Sequence, residues 1–168
     1  RGRPASLSIV IPALNEENGI DAILQRILAQ REGLAQVGIH ELEVIVVDDA
    51  SQDDTAAIAA RYAPRGVEYV KLDRNSGGPA RPRNEGIRAA RAPFVAIFDS
   101  DDLMLPGRLS LPLQVMSARP DVGLVFTDAV RFQDGTRPEQ GSAFLREYAG
   151  FASLPKTDLG DPCFVLEP

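Results

Sequence analysis

Apolar residues in this chain come in short continuous runs, separated by longer stretches of helical periodicity. Residues 7–12 (LSIVIP) form one run, closed by proline. Residues 43–49 (EVIVVDD) form a second, rich in β-branched valine and isoleucine. Residues 67–72 (VEYVKL) alternate, which predicts a third strand nearer a sheet edge. Residues 94–98 (FVAIF) and 122–127 (VGLVFT) predict a fourth and a fifth. Runs without alternation suit strands covered on both faces, as in a parallel sheet.

Ile20, Ile23, Leu24, Ile27 and Leu28 recur at helical spacing on one face. Residues 53–63 are alanine-rich and open on acids, which favour a helix N-terminus. Residues 79–92 open on prolines and read as helix up to Pro93. Residues 106–120 also open on proline, and Pro112 either kinks that helix or marks its true start. The mixed charges of 26–32 (RILAQRE) read as a solvated helical face. Strand–helix alternation predicts an α/β sandwich with a mostly parallel, Rossmann-like sheet and helices on both faces. Beyond residue 128 the pattern fades, and 133–142 (QDGTRPEQGS) reads as a loop. Three segments follow: a flexible lead-in over 1–6, an α/β core over 7–127, and a less regular region over 128–168.

The 168 residues suffice for one domain with a sizeable core, and 44% hydrophobic content is ordinary for a globular chain. A net charge of −6 without a basic tract argues against nucleic acid as a partner. The single cysteine, Cys163, excludes an internal disulfide and suits a reducing compartment. No signal peptide is visible, and no apolar run approaches the ~20 residues of a membrane span. The expected location is cytoplasmic, with membrane association only through regions outside this sequence. Cys163 reads as a buried small residue and His40 as a surface turn residue.

Ligands of open α/β sheets bind outside the carboxyl ends of the strands. Three predicted strands deliver polar residues there: 12–17 (PALNEE), 48–54 (DDASQDD) and 99–102 (DSDD). The loop at 74–84 (RNSGGPARPRN) adds two glycines, and its Arg81 and Arg83 can reach the same rim. Taken singly, each piece has a plain structural reading. Asp48 and Asp49 can cap a helix, Gly77 and Gly78 can form a turn, and an isolated acidic turn is common. Taken together, acids at two strand ends would lie side by side if the strands were neighbours. Crowded carboxylates invite a cation. A hard divalent ion, Mg²⁺ or Mn²⁺, is typically held by one or two carboxylates plus substrate phosphates.

Residues 8–17 (SIVIPALNEE), 46–55 (VVDDASQDDT), 77–87 (GGPARPRNEGI) and 97–109 (IFDSDDLMLPGRL) resemble the four successive motifs of family 2 glycosyltransferases with the GT-A fold, in the family's order and at its usual spacing. The resemblance covers roughly residues 7–127. It implies a nucleotide-sugar-binding core that takes a nucleotide-diphosphate sugar, UDP-linked, and passes the sugar with inversion to a hydroxyl of a glycan, lipid-linked or other acceptor. Pro12, Ala13 and Leu14 would line the base pocket, with leucine standing where the family often has tyrosine. Glu16 would meet the ribose, and Asp49 would accept a base N–H while Asp48 orders the turn. Arg83 and Asn84 match the family's Arg-Asn pair and would face the nucleotide and diphosphate. Asp99 and Asp101 match the DxD motif and would hold Mn²⁺ or Mg²⁺, with Asp101 the more direct ligand and Asp99 nearer the ribose. Asp102 reads better as a helix-start acid. The family's general base lies after a Gly-Gly-Phe-Asp-like segment, which is not found here. Asp158 and Asp161 are weak candidates, and the base is expected outside this sequence.

Three other readings compete. A non-catalytic sugar-nucleotide-binding module fits the same motifs. A related nucleotidyltransferase would carry a Gly-x-Gly-x-Arg loop after the first strand, which 12–17 lacks. A phosphoacceptor receiver domain is mimicked by Asp48, Asp49, Asp99, the 104–107 MLPG turn and Thr127. It conflicts with the strand at 7–12 and with the lysine pattern, since the only lysines are Lys71 and Lys156.

Overall fold

The two strongest apolar runs become the two longest strands. The computed structural model describes residues 5–127, 129–131, 142–143, 156–158 and 163–166. In it, β1 spans Ala5–Ala13 and β2 spans Ile39–Asp48. Ile9 to Ile11 and Val44 to Val47 are all fully buried. Such strands tolerate neighbours on every side, and β1 and β2 pair in parallel. β3 (Val67–Lys71) joins β2, and β4 (Phe94–Ile97) joins β1, both also in parallel. The sheet order is β3-β2-β1-β4. The alternating third strand lies at the edge, as its pattern predicts.

The helices follow their apolar stripes. α1 (Ile20–Leu28) buries Ile20, Ile23, Leu24, Ile27 and Leu28, the five residues marked by periodicity. Asp21 in its first turn and Arg26 in its last suit the helix dipole. A separate short helix, α2 (Arg31–Gln36), follows at once and buries only Leu34. One apolar anchor in six residues gives periodicity little to report, so the break between α1 and α2 is not visible in the sequence. α3 covers Thr55–Ala60 and ends in a tight turn over 63–65, closed by Gly66 at φ 85°.

α4 (Ala80–Ala89) packs on the central strands through a residue with no side chain. A Cβ placed on buried Gly86 would run into Val10 and come within 3.1 Å of a Val47 methyl. Val10, Ile45, Val47 and Leu72 form one buried cluster, with Val70, Ala89 and Ala90 against it. Ile9, Ile11, Val44 and Val46 alternate to the opposite face and are equally buried, so both faces are covered.

A polar network sets β4 beside β1. Ser8 Oγ donates to Glu43 Oε2 at 2.5 Å, and the Arg91 amide donates to the same oxygen at 3.0 Å. The Ala92 amide donates to Ser8 Oγ at 3.2 Å, while the Arg91 guanidinium pairs with Glu43 and Glu68. The chain entering β4 is thereby tied to β1, β2 and β3 together.

The chain divides into two compact units, 1–105 and 106–168. The second holds α5 (Ser110–Ala118), β5 (Val125–Thr127), β6 (Val130–Arg131), β7 (Ser142–Ala143), β8 (Lys156–Asp158) and β9 (Cys163–Leu166). β9 lies between β5 and β8 in an antiparallel sheet, and β6 pairs with β7. The expected fifth strand therefore pairs in this second sheet rather than extending the parallel one, and the division between units falls before it. Pro112 lies buried in the first turn of α5, where no intrahelical N–H is needed, so it marks a start and not a kink. Among the described residues, no helix is long and apolar enough to cross a membrane.

Candidate functional site

The first unit's chain order creates a crevice. From β1 the chain steps outward to β2 and β3, then returns to the other side of β1 as β4. Crossover helices diverge at such a switch point, leaving space above the strand ends. A cavity of about 260 Å³ lies there. Pro12, Ala13 and Leu14 line it from β1, Asp49 from β2, and Asp99, Ser100 and Asp101 from β4. Glu16, Gly78, Pro79 and Pro82 complete its wall.

The loops after β1 and β2 are laced together. The Asn15 amide donates to Ser51 Oγ (2.8 Å), and the Gln52 amide donates back to Asn15 Oδ1 (3.0 Å). The Glu16 amide donates to Thr55 Oγ1 (2.7 Å) and the Glu17 amide to Asp53 Oδ2 (3.0 Å). The Asp54 amide returns a bond to Glu17 Oε2 (3.2 Å). Asn15 and Ala50 sit at φ 56° and 66°. Asparagine tolerates that left-handed region, but for alanine it costs about 1–2 kcal/mol. Flanking bonds hold Ala50 there, including Ser51 N–H to Asp48 Oδ1 at 2.7 Å. Short side chains that bond locally to backbone thus fix a rim that hydrophobic burial alone would leave loose.

The two acids at the end of β2 have separate tasks. Asp48 is fully buried and accepts from the Ser51 amide and the Tyr69 hydroxyl. Burial, then the Asp48 hydrogen bond, pushes the Tyr69 phenol well above its usual range. Asp49 faces the cavity with 3% of its surface exposed. The Ser76 amide lies 3.0 Å from each of its oxygens, and Ser76 Oγ donates to Oδ2 at 2.9 Å. On the β4 side, Arg83 Nη2 donates to Asp99 Oδ1 at 2.7 Å and Oδ2 at 2.5 Å. Arg83 Nε is buried with no hydrogen-bond partner among the described residues.

Several expectations need correction. β1 lies between β2 and β4, so the strands that lead to Asp49 and Asp101 are not neighbours, although both residues line the one cavity. Arg81 does not line the cavity; it pairs at 2.8 Å with Asp73, just past the end of β3, and holds that carboxyl below its usual range. Asn84 is exposed on α4 and does not line the cavity. Arg83 reaches the cavity wall through Asp99. Asp158 lies in β8, and Asp161 falls outside the described residues. Ser76, Pro79, Pro82 and Ser100 were not expected. A serine in a glycine turn and prolines at a helix start carry no distinctive pattern.

No group of three or more His, Cys, Asp or Glu that could hold a metal ion occurs among the described residues. Asp99 is engaged by Arg83, while Asp101 is exposed at the cavity edge. That donor set fits an ion that brings most of its ligands with a bound phosphate, not a closed protein cage.

The family model for glycosyl transferase family 2 matches residues 8–165. The succinoglycan biosynthesis protein ExoO of Rhizobium meliloti (strain 1021) is 45% identical over 92 residues, which cover 55% of this chain and 25% of ExoO. The crystal structure of Staphylococcus aureus TarS 1–349 in complex with UDP-GlcNAc superposes with a TM-score of 0.61 at 27% identity, covering 79% of this chain and 36% of that one. The mannosyltransferase PcManGT of Pyrobaculum calidifontis, in complex with GDP-Man and Mn²⁺, gives 0.58 at 28%, covering 77% and 36%. The chain thus spans from a quarter to a little over a third of the length of these matched chains. Its parallel α/β fold is that of the GT-A glycosyltransferases. With its four rim segments converging on one switch-point crevice and a family match over nearly its whole length, the chain belongs to glycosyl transferase family 2.

Proposed function

We propose that the first unit binds a UDP-linked sugar and presents it for inverting transfer to an acceptor hydroxyl, with Mn²⁺ or Mg²⁺ on the diphosphate. The observation that carries this reading is the single cavity into which Asp49, Glu16, Asp99 and Asp101 all open. Its apolar side, Pro12, Ala13, Leu14, Pro79 and Pro82, suits the faces of a flat base. Buried Asp49 beside it would accept the base N–H, and Glu16 and Asp99 would take ribose hydroxyls. The ion would sit on Asp101, and when bound it would neutralise charge on the departing diphosphate. Arg83 holds Asp99 in place and adds positive charge beside the diphosphate path. α4 begins nearby without a side-chain cap at Pro79, and a helix N-terminus favours phosphate.

Inversion requires a base on the face of the sugar opposite the diphosphate, to take the acceptor's proton. Asp158 and Asp161 are the candidates for that group in this sequence. The TarS and PcManGT complexes support the donor class and the divalent ion.

Calorimetric titration with UDP, GDP and dTDP, with and without Mn²⁺, tests the reading. UDP should bind in the micromolar to millimolar range and weaken at least tenfold without the ion. Asp101→Ala should remove the dependence on Mn²⁺, and Asp49→Ala should blunt discrimination among bases. Equal binding of all three nucleotides, indifferent to the ion and to both substitutions, would overturn it.

A further inference from the structure

Asp49 is nearly sealed, so its few remaining acceptor positions decide which base edge it can serve. An ionised carboxylate offers about four lone-pair sites. The Ser76 amide is shared between both oxygens at 3.0 Å, and the Ser76 hydroxyl lies 2.9 Å from Oδ2. The same hydroxyl lies 2.9 Å from the Gly78 carbonyl, and its one proton can serve only one acceptor at a time. Directing that proton to Gly78 would set an oxygen lone pair against a carboxylate oxygen. The charge-assisted bond to Asp49 therefore prevails. Oδ2 is left with two donors from Ser76, and Oδ1 with one shared donor and room for another.

Resting on the UDP reading above, we infer that Ser76 is a specificity-determining residue that acts through Asp49. It occupies Oδ2 with two donors and leaves Oδ1 as the oxygen with room for a further strong donor. Uracil and thymine present one ring N–H flanked by two carbonyls, which a single acceptor satisfies. Guanine presents a ring N–H beside an exocyclic amino group, and this pair calls for both carboxylate oxygens side by side. With Ser76 on Oδ2, the guanine amino group would be buried without its acceptor, and a site that leaves a polar group unpaired rejects that ligand strongly. Ser76 is exposed and does not itself line the cavity, so it is a positioning residue and not a base contact.

The test compares UDP and GDP affinities, by calorimetry in Mn²⁺, for the 168-residue chain and for Ser76→Ala, Ser76→Thr and Asp49→Ala. The unsubstituted chain should prefer UDP. Ser76→Ala should narrow that preference at least tenfold, mainly through tighter GDP binding, because Oδ2 keeps only the shared amide and gains room for the amino group. Ser76→Thr keeps a hydroxyl in the same place and should restore the preference. A purely structural role for Ser76 would weaken both nucleotides together and leave their ratio unchanged. A UDP preference that depends on Asp49 but stays within twofold in Ser76→Ala would overturn this inference and leave the donor reading standing. Failure of both nucleotides to bind the unsubstituted chain would overturn both readings.

Discussion

Adding one methyl group at Gly86 should disturb the stability of the first unit and the set of its site together. Gly86 is the point at which α4 lies closest to the sheet. An alanine Cβ would overlap one methyl of Val10 and lie 3.1 Å from another and from a Val47 methyl, where carbon atoms prefer ~3.5–4.0 Å. Val10 and Val47 are fully buried and β-branched, so neither can rotate aside freely. Overpacking of this kind costs about 1–3 kcal/mol, and stiff neighbours place it near 3. Alanine's better helix propensity returns about 1 kcal/mol. The net loss is about 2 kcal/mol, a fall in Tm of roughly 4–8 °C at this chain length. Gly33 supplies the internal control. It lies in α2 with nothing within 4 Å of an added Cβ. There the same substitution keeps only the propensity gain, and Tm should rise by roughly 2–4 °C. Thermal unfolding followed by circular dichroism reads both. Because α4 also carries Arg83, UDP should bind more weakly to Gly86→Ala and equally well to Gly33→Ala. A Gly86→Ala chain that melted at or above the unsubstituted protein would refute the close approach of α4 to β1 and β2.

Two further outcomes follow from the rim. Thr55 is fully buried, accepts the Glu16 amide and donates to Asp53 Oδ1 at 2.5 Å. Thr55→Val keeps the shape but strands that amide, and should cost about 1–3 kcal/mol, seen as a lower urea midpoint at unchanged slope. The Tyr69 phenol, raised by burial and by its bond to Asp48, has a folded-state pKa above the ~10 of the unfolded chain. Its contribution is complete below about pH 10 and is lost as pH climbs from there towards the folded-state value. Urea denaturation at about pH 9 and 11 should therefore show a steeper alkaline loss in the unsubstituted chain than in Tyr69→Phe.

Much of the first unit is written in local pattern. The uninterrupted valines of β2 mark a strand buried on both faces, and the stripe of α1 names the five residues that it buries. The role of Asp48 in its turn is also legible, because an aspartate followed three residues later by serine commonly bonds to backbone. The break between α1 and α2 was not legible, nor was the lacing of 14–17 to 51–55. The first has one apolar anchor in six residues, and in the second a few polar atoms meet across more than thirty residues of sequence, which no periodicity records.

By itself the sequence determined which segments are strands and helices, which faces they bury, and which polar residues stand at the strand ends. Hydrophobic period and turn chemistry act within a few residues of one another, so those choices are local. Only the tertiary structure decided the lateral order of the strands. It put β1 between the acids of β2 and β4, gave Arg81 to Asp73 and Arg83 to Asp99, and set Ser76 on Asp49. A strand with two apolar faces accepts almost any apolar neighbour. Its actual neighbour is chosen by the handedness of the crossovers and by polar ties such as Ser8–Glu43–Arg91, which exist only once distant segments are packed together.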